Sequence, residues 1–165
     1  MPAPVPLPTE LRLRPFRIEE ARQLGLSVEV LRGRRFCRIF RGVYACAELP
    51  DTLALRAAAA RLLVPHAVLS HVTAAALRDL PVPADSRVHV TLPPTIRGPE
   101  IAGIVAHKGV LNSVTTFRGL PLTDPAQTFL DLGRGLGLVD TVILGDAIVR
   151  HGFAKLSELA LAAGR

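Results

Sequence analysis

The segment between residues 16 and 33 constrains the fold most, because it holds two short helical patterns joined by only a few residues. Apolar side chains recur at helical spacing from Ile18 to Leu24, and Gly25 suits the left-handed backbone that ends many helices. Ser27 is a favourable N-cap for a second short helix. Two short helices joined in this way predict a helix-turn-helix.

Residues 34–46 follow with the pattern of a β-hairpin. Phe and Ile dominate the first half, Val43 and Tyr44 open the second half, and Arg41-Gly42 lies at the expected turn. In a winged helix, a hairpin in this position is the wing. The sequence therefore predicts an N-terminal winged helix-turn-helix.

The positive charge of the chain is concentrated in the same region. Residues 1–41 hold nine Arg against four Glu, a net charge of +5, whereas the remaining residues hold eleven basic and ten acidic side chains, a net charge of +1. Base composition of the gene can favour Arg throughout a protein, but it cannot place the charge at one end. A basic face of this kind is the electrostatic signature of nucleic-acid binding.

The arginines suit double-stranded DNA, because a guanidinium group can pair with guanine O6 and N7 or bridge phosphate oxygens. Aromatic residues make up only 4% of the chain, too few for the stacking platforms that bind single strands. The expected DNA contacts are Ser27, Arg32, Arg34, Arg35, Arg38 and Arg41. Arg38 shares a strand face with two Phe residues and has the alternative role of covering apolar surface. A solvated basic face without DNA is the alternative for the whole set.

The rest of the chain predicts a small α+β domain. Residues 1–8 form a Pro-rich arm, and a short element follows at residues 9–13. Helices are expected at 53–64, 70–80, 124–132, 138–149 and 156–163, and strands at 88–92, 104–107 and 114–117. The predicted organisation is a winged-helix domain over residues 1–48 and an α+β domain over residues 49–165.

Composition narrows the location and the redox setting. No apolar run reaches the ~20 residues needed to cross a bilayer, and no signal-peptide pattern opens the chain, so no membrane association and a cytoplasmic location are expected. Cys37 and Cys46 are expected to be small buried residues of one hairpin. A disulfide or redox pair is the alternative.

Histidines provide the main candidates for chemistry outside the basic region. His71, His89 and His107 can be combined into a metal site, and Ser70 precedes His71 as a nucleophile would precede its base. Adjacent residues of a helix point about 100° apart, however, which disfavours that pair. Ser70 is expected to cap a helix, and the three imidazoles are expected to pack or to face solvent.

The carboxylates do not predict a catalytic site more strongly than the histidines do. Asp131 and Asp146 lie on separate predicted helices, and neither Lys108 nor Lys155 falls near them to complete a nuclease-like cluster. Asp124, followed by Pro, is expected to cap a helix. No cofactor, no metal and no catalysis are therefore expected.

Several motifs also resemble the AbiEi-type antitoxins, which are winged-helix transcriptional regulators of bacterial type IV toxin–antitoxin systems. The resemblance lies in Phe16, Glu20-Ala21, Gly25-Leu-Ser27, Leu31-Arg32, Phe36, Arg41 to Ala45, Leu69 to Leu77, Val88 to Thr91, Val105 to His107, Gly119 to Ala126 and Thr128 to Leu132. It covers the N-terminal and middle regions of that family, without the endonuclease-like C-terminal domain that some members carry.

The resemblance implies a repressor that binds the promoter of its own operon and opposes a nucleotidyltransferase-like toxin. The expected partners are double-stranded promoter DNA and a cognate toxin protein. Two alternatives remain open at the level of sequence: the DNA-targeting part of a nuclease-related protein, and a protein-interaction module that does not bind DNA.

Overall fold

A computed structural model describes residues 8–164, which form a mixed α+β structure with two sheets. The predicted α+β class is confirmed. The chain divides into two compact units, Met1–Pro65 and His66–Arg165. The boundary expected at residues 48/49 lies inside the first unit, because the helix that follows it packs against the first sheet. Most of the expected Pro-rich arm, residues 1–7, lies outside the described residues.

The first unit is built on a three-stranded antiparallel sheet. Its elements are α1 (Thr9–Arg12), β1 (Phe16–Arg17), α2 (Ile18–Gln23), α3 (Val28–Leu31), β2 (Phe36–Phe40), β3 (Val43–Cys46) and α4 (Leu53–Leu63). The strand order is β1-β3-β2. Both predicted short helices and the predicted hairpin are therefore present.

The connection between α2 and α3 depends on one glycine. Gly25 has a φ of 82°, and a Cβ atom at this position would meet nothing within 4 Å, so the backbone conformation alone favours glycine. The turn carries Leu26 into the core, where only 1% of its surface is exposed. It also places Ser27 at the N-cap of α3.

The core of the first unit is formed by one cluster of mostly apolar side chains. Phe16 and Phe36 meet edge to face, with ring centroids 5.9 Å apart, an arrangement favoured by the aromatic quadrupoles. The buried members are Leu11, Phe16, Ala21, Leu26, Leu31, Phe36, Tyr44 and Cys46. The cluster thus draws on α1, α2, α3 and all three strands.

The prediction that both cysteines of the hairpin are buried is wrong for Cys37. Cys46 is buried, but Cys37 is exposed, and both are free thiols. The register between β2 and β3 shifts between Arg38 and Phe40. Such a bulge interrupts strict strand alternation, so side-chain exposure in β2 does not follow from sequence position.

The second unit contains a five-stranded mixed sheet with helices. Its elements are β4 (Val68–Leu69), α5 (His71–Leu77), β5 (Val88–Leu92), β6 (Ile104–Lys108), β7 (Val114–Phe117), β8 (Leu120–Thr123), α6 (Pro125–Gly133), α7 (Leu138–Arg150) and α8 (Leu156–Ala163). The strand order is β6-β5-β4-β8-β7. The pairs β4–β8 and β5–β6 are parallel, and the pairs β4–β5 and β7–β8 are antiparallel.

Three differences from the prediction occur in this unit. Strands β4 and β8 were not expected, although β4 is the central strand of the sheet. The helix expected through residue 80 ends at Leu77. It ends there because Asp79 adopts a left-handed φ of 58° and the Leu80 N–H turns back to the Ala75 carbonyl.

The predicted start of α6 is confirmed. An Asp124 carboxylate oxygen accepts a hydrogen bond of 2.8 Å from the Gln127 N–H, and Pro125 is the first helical residue. The helix then contributes to the main apolar core of this unit. The buried members of that core are Ala75, Leu80, Leu132, Leu144, Ile148 and Leu159.

Arg78 is a buried cation that ties α5 to the sheet. Its guanidinium donates to the Ala74 carbonyl at 3.2 Å, the Thr115 hydroxyl at 2.8 Å and the Thr123 carbonyl at 2.8 Å. The same group lies 5.8 Å from the centroid of the Phe117 ring. Burial lowers the pKa of Arg78 from its usual value, but the donated hydrogen bonds replace much of its lost hydration.

The first core provides a matched test of packing. Leu31→Ala removes a side chain that is 1% exposed, and it should lower the free energy of unfolding by about 2–5 kcal/mol. Leu24→Ala, at a side chain that is 42% exposed, should cost less than about 0.5 kcal/mol. Urea unfolding followed by fluorescence of Tyr44, the only tyrosine in a chain without tryptophan, measures both values. Equal costs for the two variants would contradict the described core.

Candidate functional site

The structure places the predicted DNA contacts on one continuous stretch of the first unit. Ser27 and Arg32 flank α3, Arg34 and Arg35 lie in the loop before β2, and the other two arginines belong to the hairpin. All five arginines are exposed. Their guanidinium groups are therefore accessible to solvent and to a ligand.

Ser27 has a structural role that sequence reasoning anticipated. Its hydroxyl oxygen accepts a hydrogen bond from the Val30 N–H at 3.4 Å and so caps α3. Glu29 lies in the first turn of the same helix, where backbone and Ser27 hydrogen bonds lower the pKa of its carboxyl. The helix N-terminus is thus already supplied with acceptors from its own chain.

Three of the six acidic side chains of this unit form ion pairs with a different set of arginines. Arg14 forms an ion pair with Glu20, and Arg17 forms one with Glu19. Arg56 pairs with Asp51 at 2.6 Å. These pairs lie outside the stretch from α3 to the hairpin turn.

The hairpin arginines have no such counter-ions. Within residues 8–164, no ion pair joins Arg34, Arg38 or Arg41 to a carboxylate. Exposed cations without local counter-ions retain their full attraction for an anionic ligand. Arg34, Arg38 and Arg41 are therefore available to bind anionic groups.

The structure answers in part whether Arg38 covers apolar surface or faces solvent. It is exposed, whereas Phe36 and Phe40 on the same strand are buried, and the register shift lies between Arg38 and Phe40. Its charged group is therefore accessible to solvent and to an anionic ligand.

A second cluster of functional groups lies in the other unit, and sequence reasoning disfavoured it. The rings of His71 and His107 stack with centroids 3.6 Å apart, and His89 Nδ1 lies 3.0 Å from His107 Nε2. Thr91 donates to the Ser70 hydroxyl at 2.8 Å, and Ser70 Oγ lies 3.0 Å from His71 Nδ1. We call His71, His89 and His107 the histidine cluster.

The expected geometry of Ser70 and His71 was wrong for a specific reason. Ser70 is in extended conformation at the end of β4, and His71 has a left-handed φ of 50°. The two residues are therefore not successive helical positions, so their side chains are not held about 100° apart as they would be in a helix. Ser70 occupies the N-cap position but makes no capping hydrogen bond through its side chain. A positive φ in a residue other than glycine is uncommon and is found preferentially at functional sites.

A chain of hydrogen bonds fixes the protonation pattern on the sheet side of the cluster. Asp85 Oδ2 lies 3.0 Å from His89 Nε2, so the carboxylate accepts the proton of that nitrogen. His89 Nδ1 then accepts from His107 Nε2–H. Hydrogen bonds from the Arg87 side chain, the Arg87 backbone and His89 hold the pKa of Asp85 far below its usual value. Asp85 therefore stays ionised and orients both rings.

Helix α6 supplies the acid on the other side of the cluster. Asp131 Oδ2 lies 3.8 Å from His71 Nδ1, and Gln127 Nε2 donates to Asp131 Oδ1 at 2.8 Å. Burial raises the pKa of Asp131 above its usual value. Asp131 is therefore engaged with α5 and its own helix, while Asp146 is exposed on α7.

The cluster is not arranged as a metal site. Among the described residues, no group of three His, Cys, Asp or Glu side chains is placed to hold a metal ion. The rings of His71 and His107 are within 12° of parallel, and a nitrogen lone pair lies in the plane of its ring. Two such stacked rings direct their lone pairs along parallel planes rather than toward one point.

Comparison with protein-family models and with curated proteins gives no match for this chain. Among the residues that the structure describes, no helix has both the length and the apolar character needed to cross a membrane. The resemblance to AbiEi-type antitoxins thus rests on the sequence motifs.

The hydrogen bond that supports Ser70 can be tested with a near-isosteric change. Thr91→Val removes the donor to the buried Ser70 hydroxyl, and it should lower the free energy of unfolding by about 1 kcal/mol. Thr116→Val makes the same change at an exposed position of β7 and should be nearly neutral. Urea unfolding followed by far-UV circular dichroism measures both. If Thr91→Val is as harmless as Thr116→Val, the network does not contribute to stability.

Proposed function

We propose that the first unit is a winged-helix module that binds double-stranded DNA. Its order of elements supports this, because a helix, a strand, two helices and a hairpin follow one another around a three-stranded sheet. In such a module α3 is the recognition helix and the β2–β3 hairpin is the wing. The observation that carries the proposal is the run of exposed arginines from α3 to the hairpin turn.

The positions of the arginines suggest a division of work. Arg32 directly follows the recognition helix, where a side chain can reach base edges in the major groove. Arg41 lies at the hairpin turn, where a wing contacts the sugar–phosphate backbone or enters the minor groove. Arg34, Arg35 and Arg38 lie between them and supply further phosphate contacts.

We further propose that the protein is a cytoplasmic repressor and antitoxin of the AbiEi type, without catalysis of its own. The support for this is the ordered set of motifs that runs through both units. In this proposal the first unit binds the promoter of the operon, and the second unit opposes a nucleotidyltransferase-like toxin. The clustered positive charge of the first unit supports only the DNA-binding part of this proposal and not the antitoxin part.

A protein-interaction module is a second candidate, and the surface of α7 favours it. Val139 is 70% exposed, Val142 53% and Ile143 47%, and the three lie on one side of the helix. Adjacent exposed apolar side chains are typical of protein-binding surfaces. This candidate and the proposed function agree on a protein partner and differ in whether DNA binds.

Charge reversal at three arginines separates the two candidates. The variant Arg32→Glu, Arg34→Glu, Arg41→Glu should bind a duplex of its own promoter region at least about a hundred-fold more weakly, because attraction to phosphates becomes repulsion. The variant Arg97→Glu, Arg118→Glu, Arg150→Glu changes the net charge equally at exposed positions of the second unit and should bind almost as the natural chain does. Fluorescence anisotropy measures both affinities. Equal weakening of the two variants would show that net charge, and not this surface, governs binding.

The number of phosphate contacts can be measured independently by salt dependence. If the five arginines neutralise phosphates, log Kd against log salt concentration should have a slope of magnitude roughly 4 to 5. Arg41→Gln should reduce that magnitude by about 1. Arg97→Gln is the matched control and should leave the slope unchanged. A slope near zero for the natural chain would contradict a phosphate-binding surface.

A further inference from the structure

Histidines are distributed unevenly between the two units. All five histidines of the chain lie at or after His66, and the unit Met1–Pro65 contains none. Histidine is the side chain that normally changes its charge between pH 5 and 8. The first unit therefore lacks the group through which proteins most often respond to mild acid.

We propose that the histidine cluster is an acid-sensitive latch, which holds the elements of the second unit together at neutral pH and releases them in mild acid while the first unit stays folded. The proposal goes beyond DNA binding and beyond antitoxin activity, and it depends on neither.

The cluster connects helices α5 and α6 to the neighbouring strands β5 and β6 of the sheet. His71 begins α5, His89 lies on β5 and His107 lies on β6. Asp131 adds α6 through its approach to His71. The stacked rings and their hydrogen bonds are thus a point at which α5 and α6 meet the sheet.

The geometry does not accommodate a proton on both stacked rings. His89 does not separate them, because its Nε2–H donates to the ionised Asp85 carboxylate and its Nδ1 accepts from His107. Protons on both His71 and His107 place two cations in rings whose centroids are 3.6 Å apart. At such distances in a partly buried site, like charges repel strongly.

The charged groups around each ring favour the neutral form. His71 faces His107 on β6, His89 on β5, Arg134 just after α6 and Asp131 on α6. Burial, followed by the neighbouring histidines and Arg134, lowers the pKa of His71 from 6.5 to about 4. Asp131 is the acid nearest to it, and burial of Asp131 raises the pKa of that carboxyl, which weakens it as a counter-ion.

His107 is held neutral in the same way. Burial lowers its pKa, and His89 and Arg87 lower it further. The ring side chains are nevertheless not sealed from water, since His71 keeps 20% and His89 10% of its side-chain surface exposed. Protons therefore have access to the latch without prior unfolding.

The direction of the pH effect follows from these shifts. A histidine whose pKa is lowered in the folded state takes up its proton more readily in the unfolded chain. Stability from His71 is therefore complete above its ordinary pKa of 6.5, and it is lost as the pH falls toward about 4. Between pH 7 and pH 5 this residue alone should raise the unfolding equilibrium constant roughly twenty-fold. Most carboxylates of an unfolded chain remain ionised over that range.

Two local signals distinguish the units in one sample of the full chain. Tyr44 is the only tyrosine, no tryptophan is present, and Tyr44 is buried in the first unit, so its fluorescence reports that unit. The C2 protons of the histidine rings report the second unit by NMR. Lowering the pH from 7.5 to 4.5 should lower the urea midpoint of the histidine signals, while the urea midpoint of Tyr44 fluorescence stays constant.

Variants assign the effect to the latch. His71→Asn keeps a hydrogen-bonding side chain that tolerates the left-handed backbone, and it removes the titrating ring. It should remove most of this roughly twenty-fold dependence and leave only the part due to His107. His66→Asn removes an exposed histidine outside the cluster and should retain the full dependence. Urea unfolding at pH 7, 6 and 5, followed by the histidine signals, measures all three proteins.

Three results would overturn the proposal: the same pH dependence in His71→Asn and in the natural chain, titration of His71 and His107 near pH 6.5 in the folded protein, or loss of the Tyr44 signal together with the second unit. If His71→Asn does not fold, His107→Gln and the titration of the natural chain decide the question. The antitoxin assignment can fail without affecting any of these measurements.

Discussion

The second unit depends on the requirement that every buried polar group finds a partner. Arg78 is 4% exposed, and its three hydrogen bonds reach α5, β7 and the end of β8. Thr123 and Thr128 bond to each other at 2.9 Å beside the start of α6. These contacts explain how a strand as short as β8 is held in the sheet, because its neighbours supply polar partners as well as apolar surface. The histidine cluster is a further part of the same polar interior.

The first unit follows a simpler rule. Its core is almost wholly apolar, and most of its charged side chains are exposed, although Arg61 is half-buried and its Nε has no hydrogen-bond partner among the described residues. Polar capping is confined to the helix ends, as at Ser27. The two units thus differ in their chemistry. The first has a charged exterior over an apolar core, and the second has an interior in which buried polar and charged side chains are hydrogen-bonded.

Local patterns in the sequence were sufficient to predict most of the helices and strands. The helix stop at Gly25, the caps at Ser27 and Asp124 and the turn at Gly42 are determined by neighbouring residues, so the chain itself carries the information. The arginine stretch could be predicted for the same reason, since all its members lie within fifteen residues of one another along the chain.

Features that depend on distant residues were not predictable. Strand β4 has only two residues, too few to show alternation, and its role is set by pairing with both β5 and β8. The contact of His89 with His107 requires the parallel register of β5 and β6, which no local pattern reveals. The left-handed backbone of His71 was also not predictable, because residues other than glycine seldom adopt it. A prediction that Ser70 ends a strand, and does not begin a helix, would have indicated the contact between Ser70 and His71.

The two free cysteines of the hairpin have a consequence for how opening of the first unit can be followed. Cys37 is exposed, whereas Cys46 is buried, and burial raises the pKa of its thiol, so that it is seldom the reactive thiolate. An alkylating reagent should therefore modify the outer thiol of the native protein quickly and reach the inner one only when the sheet opens. The rate of this slow second modification then measures how often the sheet opens. Both reacting sulfur atoms belong to the same small hairpin.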